Sequence, residues 1–140
     1  MGSLWNNVIQ IDAAKISRNM YSESDNVGVE SDLVNSYAWD TAIVFIQEMG
    51  NTNYASKDTW NEQIINTGIS GDKVCNIYDV ASNCYEWSTE YCSLKDNTNA
   101  YPCEVRGGDS NFSHFASGRN FMKVTAQYEM YSFRVILYMD

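Results

Sequence analysis

Asn76-Ile77-Tyr78-Asp79-Val80-Ala81-Ser82-Asn83-Cys84-Tyr85-Glu86-Trp87-Ser88 is the most informative stretch of this 140-residue chain. Asn, Asp and Ser punctuate its first part, as turn-forming residues do. Its second part predicts a short strand over 85–89. Trp87 is large enough to anchor the core of a small domain. Downstream, further short segments rich in aromatic and β-branched residues are broken by Gly, Asn, Asp and Ser. They predict strands over 104–106, about 121–124 and 133–138. The last is apolar throughout, as a strand buried on both faces would be.

Upstream the pattern is helical. Ile9, Ala13, Ile16 and Met20 share one face at helical spacing, with Lys15, Arg18 and Asn19 opposite, which predicts a helix over 8–21. A polar loop follows. Trp39, Ala42, Ile43, Phe45, Ile46 and Met49 make the broad apolar stripe of a second helix, with Ser36 placed to cap it and Gly50 to stop it. Residues 50–74 read as a long surface loop with one short helical turn near 60–65. Two helices followed by several short strands is an α+β order rather than a βαβ series.

Length and composition narrow the function. One domain of this size can bury a single core. With 44% hydrophobic, 14% aromatic and 19% charged residues, the chain is not of the disordered class. The net charge of −9 argues against nucleic acid and anionic membrane surfaces, which are met by Lys and Arg. The longest apolar runs are too short for membrane insertion. Met1-Gly2-Ser3 reads as a cloning remnant, with the domain expected over 5–140, and no signal peptide is visible. Cys75, Cys84, Cys92 and Cys103 allow three disulfide connectivities, and their irregular spacing is unlike a zinc site. Buried free thiols are the simplest reading, and a disulfide is the alternative if the protein works outside the cell.

Four motifs, in order, carry a resemblance. Tyr37-Ala38-Trp39-Asp40-Thr41-Ala42 is similar to the "EAEWEYA" helix, and residues 76–88 to the "LYDMAGNVWEWT" segment, of the formylglycine-generating (sulfatase-modifying factor) family. Val105-Arg106-Gly107-Gly108-Asp109 resembles that family's "RGGS" turn, and Ser132-Phe133-Arg134-Val135-Ile136 its "GFR" strand. The resemblance covers most of residues 5–139, with the middle loop unmatched. It implies a C-type-lectin-type fold, in which two helices flank a small, twisted, mostly antiparallel sheet with long loops. The family's first strand precedes its first helix, so the resemblance also implies a trimmed start.

The motif residues have physical roles of their own. Gly107-Gly108 permits a bend or close approach that a side chain would block. Arg134, beside Phe133, needs a partner for its charge near the core, and Glu86 is the candidate. Family enzymes bind copper through a cysteine pair just after the double glycine. Here Asp109–Ser117 contains no cysteine, and Phe112 and Ser117 stand where that pair would be. The expectation is therefore not an enzyme, with a formylglycine-generating-like metal-dependent oxidase or its degenerate relative as the alternative. His114 is the one histidine, and no positioned partner can be argued for it from spacing. The resemblance implies a calcium site using Asn83 and Glu86, both oxygen donors suited to a hard cation. Hydrogen bonding and capping by the same two residues is the alternative.

Residues 109–131 combine aromatic side chains with Ser, Asn and Gly, the chemistry of a paratope. The resemblance extends to variable proteins of diversity-generating retroelements in gut bacteria and their phages, whose diversified segments lie between such an "RGG" turn and "FR" strand. It implies a ligand-binding, receptor-binding domain on a cell surface or phage particle, outside the cell, with a protein or glycan as ligand. A structural module of a phage tail or surface protein is a third reading. The expected contact residues are Asp109, Ser110, Asn111, Phe112, His114, Phe115, Asn120, Phe121, Gln127, Tyr128 and Tyr131. Trp39, Phe45, Trp87 and Phe133 are expected as core anchors.

Overall fold

The computed structural model describes residues 4–21, 28–58, 63–93, 99–110 and 114–139. They form an α+β arrangement. Helix α1 (Gln10–Met20) and strand β1 (Val29–Leu33) precede helix α2 (Ser36–Glu48) and a 3-10 turn at Tyr54–Ser56. A small hairpin, β2 (Lys73–Val74) and β3 (Ile77–Tyr78), leads into β4 (Tyr85–Tyr91), β5 (Cys103–Arg106), β6 (Arg119–Met122), β7 (Tyr131–Phe133) and β8 (Val135–Met139).

The central sheet has the order β6-β5-β4-β7, antiparallel except for the parallel pair β4–β7. Alternation along the strands gives it two unlike faces. Tyr85 and Trp87 on β4, with Cys103 and Val105 on β5, join Ala13 and Ala14 of α1 in one core. The small residues Ala13, Ala14 and Ser17 form the buried face of α1, and Gln10 reaches the Ser88 carbonyl of β4 at 2.8 Å. Trp87 is fully buried and donates from Nε1 to the Val8 carbonyl at 2.8 Å. The intervening residues Glu86, Ser88, Glu104 and Arg106 are buried too, on the side of α2. A second core gathers Trp39, Ile43 and Ile46 of α2 with Tyr54, Val80, Ala81 and Ala116.

Several sequence expectations are corrected. The N-cap of α2 is Asn35, whose Oδ1 accepts from the Ala38 N–H at 2.8 Å, while the Ser36 hydroxyl accepts instead from Arg106. Phe45 and Met49 lie on the outer side of α2, 45% and 57% exposed, because only the Trp39–Ile43–Ile46 line faces the core. Met20 is likewise exposed at the end of α1. The described parts of 50–74 are anchored rather than free. Buried Asp72 accepts from the Tyr54 hydroxyl at 2.9 Å and the Ala81 N–H at 2.8 Å, and pairs with Lys57 at 2.6 Å. Of the helical turn expected near 60–65, residues 60–62 lie outside the described residues and 63–65 are not helical.

The strand expected over 133–138 is two strands. At Arg134 the chain leaves β4 and joins β1, which pairs antiparallel with β8 from Val29↔Met139 to Leu33↔Val135. The Arg134 carbonyl accepts from the Val34 N–H at 2.9 Å at this crossing. Only the first part of β8 is covered, and Leu137, Tyr138 and Met139 are exposed, so β8 is not buried on both faces. Strand β1 was missed because Val-Glu-Ser-Asp-Leu is too polar and short to stand out.

Candidate ligand-binding surface

The double glycine sets the floor of the candidate region. Gly107 has φ +81°, and a Cβ there would lie 2.6 Å from the Val80 carbonyl oxygen and 3.0 Å from Trp39. At Gly108 it would lie 2.8 Å from the carbonyl oxygens of both Ala81 and His114. Only glycine lets these three segments approach so closely. The following residues, Asp109 and Ser110, are drawn inside and are 1% and 2% exposed. They support the surface rather than form it, a correction to the expected contact set. Tyr131 is corrected in the same way. It opens β7 beside β4, is 4% exposed, and packs its ring against Trp87 at 5.1 Å between centroids. Asn111 and Phe112 lie outside the described residues.

The other expected contacts reach the surface to different degrees. Phe115 and Tyr128 are 55% and 57% exposed, and Gln127 is also exposed. His114, Asn120 and Phe121 are half-buried, the last two on edge strand β6. A chain of ring contacts ties the region together. His114 meets Tyr85 edge-on at 5.3 Å, Tyr85 meets Tyr131 at 6.2 Å, and Tyr131 meets Tyr128 edge-on at 5.5 Å. Edge-to-face geometry of this kind is favourable. The Tyr131 hydroxyl also contacts Met122 Sδ at 2.8 Å, which joins β7 to β6. Exposed Tyr128 and half-buried His114 thus stand on the buried rings of Tyr131 and Tyr85. Tyr85 is the part of this support that sequence reasoning missed. Its place in the alternation Tyr85-Glu86-Trp87 could have revealed it, since Tyr85 and Trp87 must share a face.

Burial holds the titratable groups beneath this region in their neutral forms. Burial, reinforced by the nearby Asp109 charge, raises the Tyr85 hydroxyl well above its ordinary range. Burial, then Tyr128 and Asp109, raises Tyr131 in the same direction. Both hydroxyls stay protonated at neutral pH. Burial, with the Glu86 and Asp109 charges behind it, pushes the Cys84 thiol up to about 12. That thiol is therefore protonated, and a poor nucleophile, near neutrality. No disulfide joins the four cysteines; Cys84, Cys92 and Cys103 are buried and Cys75 is exposed.

A separate cleft of about 290 Å³ is lined by Trp5, Tyr78, Cys84, Phe133 and the Glu86–Arg134 pair, together with Asp79 and Asn83. Its polar groups are already spoken for. Arg134 meets Glu86 through two hydrogen bonds of 2.8 Å and donates to the Tyr78 carbonyl, also at 2.8 Å. The Asn83 amide bridges the N–H and carbonyl of Ile65 at 3.0 and 2.9 Å. Glu86 was the expected partner of Arg134, and Asn83 does the expected local bonding. Both Glu86 oxygens face a guanidinium, so this pair does not fit a calcium ion. Among the described residues, no group of three or more His, Cys, Asp or Glu is arranged to hold a metal.

Among the described residues no helix is long and apolar enough to cross a membrane. In comparison with known proteins, no family model, curated protein or solved structure matches this chain.

Proposed function

We propose that this chain is a non-enzymatic ligand-binding domain with a C-type-lectin-type fold, presenting a diversified surface in the manner of diversity-generating retroelement variable proteins. The observation that carries this reading is the ring chain His114–Tyr85–Tyr131–Tyr128. It holds exposed Tyr128 and half-buried His114 on the buried rings of Tyr85 and Tyr131. Rigid, exposed aromatics give contact area at low entropic cost. The contact set is His114, Phe115, Asn120, Phe121, Gln127 and Tyr128, with Asn111 and Phe112 added from the sequence. The pairing of β1 with β8, which joins early and late parts of the chain, supports the lectin-type fold. The ligand is a protein or glycan, met outside the cell on a cell surface or phage particle.

Two measurements test the proposal. A printed glycan array and a displayed peptide library are screened with the wild-type domain, and the best binders are retested against Phe115→Ala and Tyr128→Ala. Each substitution removes an exposed ring, so the melting temperature stays within a few degrees while affinity falls about tenfold or more, as for an interface hot spot. Undiminished binding by both variants would overturn the surface. Sequencing of sibling genes gives the second measurement. Substitutions concentrated at the contact positions, with Asp109, Ser110 and Tyr131 held, are expected; uniform drift favours a structural module. Bound copper with oxygen-dependent turnover of a cysteine-containing peptide would restore the oxidase reading.

A further inference from the structure

The sheet face turned toward α2 carries an ion cluster whose charges do not balance. Asp40 comes from α2, Glu90 from β4, Glu104 and Arg106 from β5, and Arg119 from β6. Arg106 is completely buried and donates to Asp40 Oδ1 and, at 2.8 Å, to the Ser36 hydroxyl. Arg119 pairs with Asp40 Oδ2 at 3.2 Å. The remaining contacts converge on two atoms. Glu90 Oε2 lies 3.6 Å from both Arg106 Nη1 and Arg119 Nε. Glu104 Oε1 lies 3.9 and 3.1 Å from the same two nitrogens. Two carboxylate oxygens are therefore sandwiched between the same pair of guanidinium groups.

Those two oxygens are also anomalous. Both are buried, and neither accepts a hydrogen bond of good geometry. Among the described residues, three carboxylates facing two guanidiniums leave one negative charge in excess, and the Glu104 side chain is only 2% exposed. Two like charges held together in such a site cannot both ionise freely, and one proton shared between them removes the excess.

We propose that Glu90 and Glu104 share one proton between their facing oxygens, and that this proton is a pH-sensitive latch fastening β4, β5 and β6 to α2. Burial first, and the Glu90 carboxylate second, push Glu104 up to about 7, against the opposing pull of Arg119 and Arg106. The proton is bound more tightly in the folded chain than in the unfolded one. The stability it confers is complete at acidic pH and is lost as pH rises through about 7. Strand β6 is the edge strand that carries Asn120 and Phe121, so releasing the latch loosens the seat of those two side chains. That last consequence rests on the binding reading above; the latch itself does not.

The test uses the intact chain in a His114→Asn background, which removes its only imidazole. Carboxyl-detected NMR on glutamate-labelled protein is expected to show a side-chain signal titrating with a midpoint near pH 7. That signal is absent from both Glu104→Gln and Glu90→Gln. If every glutamate titrates below about pH 5.5 in the folded protein, the latch is overturned, since such values are ordinary for the side chain. Thermal melts give an independent reading. The melting temperature falls from pH 5 to pH 7.5, and E104Q, neutral at every pH, removes most of that fall. An E104Q protein with the same pH dependence as its parent also overturns the proposal. Neither readout involves ligand, so failure of the latch and failure of the binding surface are distinguished.

Discussion

Arg134 and Glu86 show how much one residue pair decides here. The pair sits where the chain leaves the central sheet for β1, meets with bidentate geometry, and lines the 290 Å³ cleft. Trp39 lies nearby, with the guanidinium carbons of Arg106 and Arg134 5.7 and 5.8 Å from its ring centroid. Removing one partner leaves an uncompensated charge; removing both need not. Glu86→Leu is therefore expected to cost about 3 kcal/mol, read from urea unfolding at constant slope. The double variant Glu86→Leu/Arg134→Met is expected to recover most of that loss. If the double variant is no more stable than the single one, the pair acts through packing rather than charge.

At the scale of elements, both helices and strands β4, β5 and β6 were legible, whereas 133–138 read as one strand and is two. Helical spacing over 8–21 and 36–49 and the aromatic runs around Trp87 and Val105 are strong periodic signals. The missing part is physical. Strand β1 has no local signal and exists because β8 returns to pair with it. The alternation Cys103-Glu104-Val105-Arg106 states that the sheet has a charged face, but not that α2 covers it. The depth of the candidate segment was not legible, since Asp109, Ser110 and Tyr131 are drawn inward by tertiary contacts that spacing does not encode. The α2 N-cap is a local device and can be tested locally. Asn35→Ala is expected to lose about 1 kcal/mol, seen as a lower urea midpoint with no change in slope.

At the scale of the molecule, a net charge of −9 on 140 residues opposes compaction through self-repulsion. Added salt screens exposed charges over roughly 10 Å at 0.1 M. The melting temperature is therefore expected to rise by a few degrees between about 10 and 300 mM NaCl, a span over which screening becomes strong. A fall would mean that surface ion pairs outweigh the general repulsion. The β1–β8 pairing has a different kind of consequence, one of timing. Strand β1 lies near the start of the chain and its partner near the end. During synthesis β1 must wait, edge open, until almost the whole domain has left the ribosome. Such distant pairing slows folding, and a nascent chain halted before Val135 would carry a strand with nothing to close it.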